Sequence, residues 1–172
     1  EVVKHADDAD VLIYNTCAVK SPTENRMFEI LRRVVESKKL VVAGCLPLIN
    51  FARLKAEVKF DGLLGPTSGN KVIEVVRKVE RGGYPIWLDT KAKPPGINLP
   101  RKPTNPVVSI VPVAYGCLGS CSYCCVVFAR GRLRSYSVEE VVARVKRDLA
   151  SGVHEVWLTG QDVGCYGRDI GT

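Results

Sequence analysis

Short aliphatic and β-branched runs alternate with helix-period segments along most of this chain, and that alternation is the strongest constraint on its fold. Val11–Asn15 reads as a strand running into Thr16-Cys17. Ser21 and Pro22 read as an N-cap and first helical position, with Glu24 completing a capping box. Met27, Ile30, Leu31, Val34 and Val35 follow at helical spacing. Leu40–Ala43 predicts a second strand ending in Gly44-Cys45, a helix is expected through about Leu48–Val58, and Gly62–Leu64 predicts a third strand. Ser68 is expected to cap a helix carrying Val72, Val75, Val76 and Val79, which stops at Gly82-Gly83. Later, Val107–Tyr115 predicts a strand in which Pro112 marks a bulge or an unpaired amide. Ser137 and Glu140 form a second capping box, opening a helix that Gly152 ends, and His154–Thr159 predicts the next strand. Strands separated by helices imply a parallel sheet in an α/β architecture.

One stretch interrupts the pattern. Residues Lys91–Pro106 hold Pro94, Pro95, Pro100, Pro103 and Pro106 with four basic residues and little apolar content. This composition predicts a proline-stiffened linker. It divides the chain into a first domain over 1–90, the linker over 91–106, and a second domain over 107–172. At 172 residues and 46% hydrophobic, the chain can bury a core for one or two domains. It opens on Glu1 rather than Met and closes on a loop-like Asp169-Ile170-Gly171-Thr172, which reads as a piece of a longer protein. No targeting peptide is visible. The most apolar stretches, Leu40–Cys45 and Val107–Tyr115, are far shorter than the roughly 20 residues of a spanning helix. A soluble, cytoplasmic protein with no membrane partner is expected.

Lys and Arg number 25 against 18 Asp and Glu, a net charge of +7 that suits either an anionic partner such as nucleic acid or plain solubility. Seven cysteines are present, four of them between Cys117 and Cys125. A secreted scaffold spreads its cysteines for long-range bridges, whereas tight clustering points to metal. Cys117, Cys121 and Cys124 form a CxxxCxxC directly after a predicted strand. Three thiolates on one loop can hold three irons of a cubane and leave the fourth without a protein ligand. Gly119 would let the loop wrap closely by taking a positive φ, and Tyr123 is placed to lie against a cofactor. The competing readings are a zinc knot, which usually takes paired Cx2–4C clusters, and cysteines that are simply buried.

This arrangement resembles the radical-SAM superfamily. Phe128-Ala129-Arg130-Gly131-Arg132-Leu133-Arg134-Ser135 resembles the FARGxxRS stretch of its methylthiotransferases, and Leu158-Thr159-Gly160-Gln161-Asp162 with Tyr166-Gly167 resembles their segment at the end of the second barrel strand. Asn15-Thr16-Cys17-Ala18-Val19-Lys20 and Ala43-Gly44-Cys45-Leu46-Pro47 resemble two of the three cysteine motifs of that family's N-terminal domain. The wording is most like the archaeal and eukaryotic branch, which acts on threonylcarbamoyl-adenosine in tRNA.

The resemblance implies a three-layer N-terminal parallel-sheet domain followed by the first βα units of a radical-SAM partial TIM barrel. It also implies two [4Fe–4S] clusters and S-adenosylmethionine. The cluster on Cys117, Cys121 and Cys124 would generate a radical that removes hydrogen from C2 of the adenine. The second, held by Cys17, Cys45 and a cysteine upstream of Glu1, would be associated with the inserted sulfur. An electron donor and a sulfur source are implied as partners beside tRNA. Departures matter: the rest of the barrel and the usual C-terminal RNA-binding domain are missing, and Val126-Val127 stand where many relatives carry a proline. As given, the polypeptide is expected to lack full activity, and an open barrel would expose a strand edge.

For the remaining candidates two roles stay open. Cys17 and Cys45 are ligands at the carboxyl edge of a parallel sheet or ordinary buried cysteines. Gly160, Gln161 and Asp162 contact the cofactor's methionine amino group or form a simple turn. Arg130, Arg132 and Arg134 alternate onto one side of a strand-like loop, where they meet tRNA phosphate or water. Cys125 and Cys165 match no ligand position and read as packing residues. Rival classes are a radical-SAM enzyme acting on a ribosomal protein or another substrate, and a non-catalytic zinc or iron–sulfur module.

Overall fold

The computed structural model describes residues 2–3, 5–18, 21–34, 38–89, 91, 93–99 and 105–171. Strand β1 (Val11–Thr16) leads to helix α1 (Ser21–Val34), then β2 (Lys39–Gly44), α2 (Leu46–Ile49), α3 (Phe51–Glu57), β3 (Gly62–Leu64), α4 (Lys71–Glu80) and β4 (Ile86–Trp87). The four strands form one parallel sheet in the order β1-β2-β3-β4. Successive side chains of a strand point to opposite faces, and both faces here are covered. Leu40, Val42 and Leu63 pack with Phe28 and Leu31 of α1 and Leu54 of α3, whereas Val41 and Leu64 pack with Val75 and Val79 of α4. The expected three layers are present, and their strands are apolar on both sides for that reason.

The predicted elements differ from the observed ones in local ways. The helix expected over 48–58 is two helices with a break at Asn50, whose φ of −135° and ψ of 53° leave the helical region. Helix α1 includes Ser21, so its cap falls on residue 20, outside the described residues; Val35 of the expected helix also lies outside them. The expected Ser21–Glu24 capping box depends on a Ser21 side chain that lies outside the described residues; Glu24 accepts hydrogen bonds from Asn50 Nδ2 at 2.8 Å and Arg53 Nη1 at 3.2 Å. Ser68 does not cap α4, because its hydroxyl donates to the Gly65 carbonyl at 2.6 Å and Asn70 stands at the N-cap. The stop at Gly82 holds, with φ +79° and its N–H on the Val79 carbonyl.

Beyond residue 105 the chain forms β5 (Val108–Pro112), β6 (Ala114–Tyr115), α5 (Val126–Arg130), β7 (Arg134–Ser135), α6 (Val138–Ala150) and β8 (Glu155–Thr159). The strand expected over 107–115 is therefore two strands. β5 pairs in parallel with β8 and ends at Pro112, after which the Val113 N–H takes the Thr159 carbonyl. β6 turns away to pair antiparallel with β7, a contact that the βα alternation does not predict. The Ser137–Glu140 capping box at the head of α6 is formed in both directions.

The segment expected as a linker is docked where it is described. Ile97 is buried with Val111 and Tyr136, and Tyr136 Oη donates to the Pro95 carbonyl at 2.8 Å. Arg144 of α6 donates to the carbonyls of Ile97 and Leu99, and its guanidinium grips the buried carboxylate of Asp148, which also accepts from Ser109 Oγ. Residues 90, 92 and 100–104 of that seam lie outside the described residues. Among the described residues no helix is long and apolar enough to cross a membrane.

Candidate active site

Cys17 and Cys45 leave neighbouring parallel strands at one level, because Thr16 and Gly44 are register partners. The turn at Gly44 admits no other residue: its φ is +95°, and a Cβ there would come within 2.3 Å of the Thr16 carbonyl oxygen. That close approach lets the Cys45 N–H donate to Thr16 O at 3.2 Å, while Thr16 Oγ1 donates to the Ala43 carbonyl and accepts from the Leu46 N–H. The carboxyl edge is thus rigid. Cys45 is buried, and Cys17 is exposed.

The cysteine loop hangs between β6 and α5. Gly116, with φ +76°, starts it, and a Cβ there would lie 2.4 Å from the Arg132 carbonyl. The residue with the required left-handed conformation is therefore Gly116. Gly119, for which a positive φ was expected, is not in that region among the glycines of this chain. Its lack of a side chain serves space instead: a Cβ would sit 3.4 Å from Cys117 Sγ and 3.8 Å from Cys121 Sγ, and its N–H donates to Cys117 Sγ at 3.2 Å. The Cys124 N–H donates to the Cys121 carbonyl, closing the loop's last turn. Cys117 and Cys124 are partly exposed, Cys121 is exposed, and Tyr123 points to solvent. Among the described residues, no group of three or more His, Cys, Asp or Glu side chains stands close enough together to hold a single metal ion.

The two halves meet at a cavity of about 260 Å³. Cys17 and Cys45 line it from the first half; Cys125, Ala129, Arg130 and Gln161 line it from the second. Ala129 is part of the first half's core, and Cys125 Sγ lies 3.3 Å from the Ala18 carbonyl as donor. Burial pushes the Cys125 thiol above its ordinary pKa, and the neighbouring Cys124, Cys45 and Cys17 push the same way. Cys125 was expected only to pack; it shares a cavity with two candidate ligand cysteines, and only the tertiary fold could reveal this. Cys165 does pack: it is buried and donates to the Asp162 carbonyl.

Gln161 Oε1 accepts the Gly116 N–H at 2.9 Å, which ties the end of β8 to the start of the cysteine loop. Asp162 Oδ1 accepts from the Gly164 N–H, so this segment does form the turn that was one of its two readings. Gly160 has room for a Cβ at ordinary contact distances. The three arginines are not a single alternating row. Arg130 ends α5, Arg132 bridges to Cys117, and Arg134 lies in β7. Arg130 and Arg134 instead flank one ring, with their guanidinium carbons 5.2 and 5.4 Å from the Tyr115 centroid. Burial raises the Tyr115 phenol above its ordinary value; the Arg130 charge opposes this, Cys45 adds to it, and Arg134 opposes it. Tyr115 went unremarked in the sequence, where it reads as the last residue of a strand.

Comparison with known proteins bears on the whole chain. Residues 1–65 match the family described as Uncharacterized protein family UPF0004. The chain is 40% identical over 177 residues to the Probable threonylcarbamoyladenosine tRNA methylthiotransferase of Pyrococcus abyssi, across 100% of this chain and 41% of that protein. It is 36% identical to the Threonylcarbamoyladenosine tRNA methylthiotransferase of Danio rerio and 35% identical to that of Homo sapiens. Both matches cover 100% of this chain but only 32% and 31% of those longer proteins.

Proposed function

We propose that this chain, which carries a UPF0004 domain and is similar along its whole length to threonylcarbamoyladenosine tRNA methylthiotransferases, is the sulfur- and radical-bearing part of such an enzyme. The reaction is insertion of sulfur and a methyl group at C2 of N6-threonylcarbamoyladenosine in the tRNA anticodon loop. In this reading residues 1–90 are the N-terminal methylthiotransferase domain, 91–106 the seam, and 107–172 the opening βα units of a radical-SAM partial barrel.

The donor set suits iron–sulfur clusters. Cys117, Cys121 and Cys124 would hold one [4Fe–4S] cluster, a group that takes each thiolate on a separate iron and so does not need donors gathered around one ion. Cys17 and Cys45 would supply two ligands of a second. When bound, the clusters and S-adenosylmethionine supply the one-electron chemistry, sulfur and methyl group that an unactivated adenine C–H bond requires. The chain's own part is positioning. Gln161 and Gly116 fix the root of the cysteine loop, Gly119 leaves room between two of its sulfurs, and Gly44 sets Cys45 beside Cys17. Tyr123, Gly160, Gln161 and Asp162 would face the cofactor, and Arg132, exposed beside the loop, would meet RNA phosphate. A reductant, a sulfur source and tRNA are the partners this chemistry requires, and the cytoplasm is where such a substrate is met.

The observation that carries this reading is the shared cavity, which brings Cys17 and Cys45 beside the helix that follows Cys124. The test is anaerobic reconstitution with iron and sulfide, followed by absorption and reduced EPR spectra with and without S-adenosylmethionine. A cubane signal that shifts with the cofactor and vanishes in Cys117→Ala, Cys121→Ala and Cys124→Ala is expected. Stoichiometric zinc, with no cluster and no cofactor response, would overturn the reading.

A further inference from the structure

Helix α5 begins where the two halves touch. Its Ala129 is 2% exposed and sits in the apolar core of the first half. Cys125 stands four residues earlier, and residues at that spacing share one helical face. As the N-cap residue of α5 it makes no side-chain cap hydrogen bond. Its Sγ donates instead across the junction, to the Ala18 carbonyl at 3.3 Å. Ala18 is the residue after Cys17, and Cys125 is the residue after Cys124. The thiol thus reaches toward the strand ends that carry Cys17 and Cys45, and all three cysteines line the one cavity of about 260 Å³. Among the described residues that line it there is no carboxylate and no histidine, and Arg130 is its one cation.

We propose that Cys125 is a protein ligand of the iron–sulfur cluster assigned above to Cys17 and Cys45, an inference that rests on that functional reading. Cys124 and Cys125 are consecutive but serve different places. The Cys124 N–H closes the loop onto Cys121, and Cys124 does not line the cavity, whereas Cys125 does. One short run of chain can feed two clusters in this way, its last cysteine ligating the other one. The three thiols need not gather around a single ion, because each takes a separate iron. Soft thiolates are the donors such a cluster selects, and the Arg130 guanidinium offsets part of the negative charge they bring. Ligation proceeds at constant oxidation state. The Cys125 thiol gives its proton to solvent and gives up its hydrogen bond to Ala18, and the thiolate displaces a water or a small thiol from one iron. The proposal adds a sulfur from the second half to those of the first, and it is independent of what precedes Glu1.

The experiment uses the 172-residue chain carrying Cys117→Ala, Cys121→Ala and Cys124→Ala, so that only the cavity can hold a cluster. The protein is reconstituted anaerobically with iron and sulfide. Iron content, absorption and Mössbauer spectra, and the rate of iron loss to a chelator are then recorded. Adding Cys125→Ala should speed that loss at least about tenfold, since even an indirect partner of a metal site is worth that much. Cys125→Ser is the sharper variant. Its hydroxyl keeps a donor for the Ala18 carbonyl and so preserves a packing role, whereas losing a sulfur from iron changes both spectra. Cys165→Ser, at a buried cysteine that does not line the cavity, should leave iron binding and spectra as they were. An unchanged spectrum and chelator resistance in Cys125→Ser overturns the proposal, as does an equal effect of Cys165→Ser. Stoichiometric zinc or no cluster in the folded triple variant overturns it too. Circular dichroism checks folding. If the triple variant unfolds, the unsubstituted chain is compared with its Cys125→Ala variant, which should lose about half of the bound iron; an unchanged iron content overturns the proposal. A cluster on Cys117, Cys121 and Cys124 that responds to S-adenosylmethionine, beside a cavity that takes up none, refutes this inference alone. Absence of both clusters refutes the functional reading on which it rests.

Discussion

The two halves of this molecule solve the same packing problem by different means. The first has a four-stranded sheet with helices on both faces, and its core is built on apolar side chains: Phe28, Leu31, Leu40, Val41, Val42, Leu54, Leu63 and Leu64 are essentially inaccessible. The second has only paired strands. One face of its β5–β8 sheet is covered by α6, while Ile110 and its register partner Trp157 are each about half exposed, at 51% and 52%. Lacking a closed apolar core, it holds itself together with a buried polar group. Arg144 and Asp148 pair across one turn of α6, Ser109 joins from β5, and the docked segment 95–99 supplies carbonyls. An apolar core tolerates imperfect partners, whereas a buried ionic network fails when one member is removed.

The largest effect should come from the second half. Asp148→Ala leaves the Arg144 guanidinium buried at 4% exposure without its counter-charge, at a cost of about 3–5 kcal/mol. Urea unfolding measures that loss, and hydrogen exchange should show the segment 95–99 released before the first half opens. An unchanged midpoint would mean that the network is decoration. Leu63→Ala, in the middle strand pairing of the first half, should cost less, about 2–4 kcal/mol, as a cavity with no stranded charge. Its loss should be shared by the whole sheet in hydrogen exchange, because both faces lean on β3. If Leu63→Ala proves costlier than Asp148→Ala, the contrast between the halves is wrong.

The same contrast decided what the sequence could disclose. In the first half, periodicity and burial agree, so β1, β2, β3 and α4 stand within a residue or two of where their patterns predict them. Ile86-Trp87 went unseen as β4 because two residues carry no period. In the second half, the Ser137–Glu140 box was legible because it is local. The β6–β7 pairing was not, since it depends on Gly116 fitting against a carbonyl sixteen residues further along. For the site, thiol spacing on one loop is a local property and could be read directly. The cavity that joins Cys17, Cys45, Cys125 and Arg130 is assembled from five separated stretches of chain, and no local pattern could announce it.

The smallest effect sharpens the comparison through acid and salt together. Each half carries a carboxyl held below its ordinary pKa. In the first, Glu57 is depressed by side-chain hydrogen bonds from Arg53 and then Arg32, at the protein surface. In the second, burial pushes Asp169 up, but hydrogen bonds from the Ser135 hydroxyl at 2.5 Å and the Ser135 N–H at 2.7 Å outweigh it. A carboxyl whose folded pKa lies below its unfolded value contributes stability above the unfolded pKa of about 4, and that stability is lost as pH falls through the folded pKa. Both halves should therefore weaken in the same acid window. Salt separates them, since it screens the exposed ion pairs of Glu57 and leaves the neutral donors of Ser135 untouched. Urea midpoints between about pH 3 and pH 6 should show Asp169→Asn flattening the curve equally at low and high salt, by about 0.5 kcal/mol at most given its exposure. Glu57→Gln should flatten it only at low salt. If Asp169→Asn also loses its effect in high salt, a long-range charge rather than Ser135 holds that carboxyl down, and the second half depends on surface electrostatics as the first does.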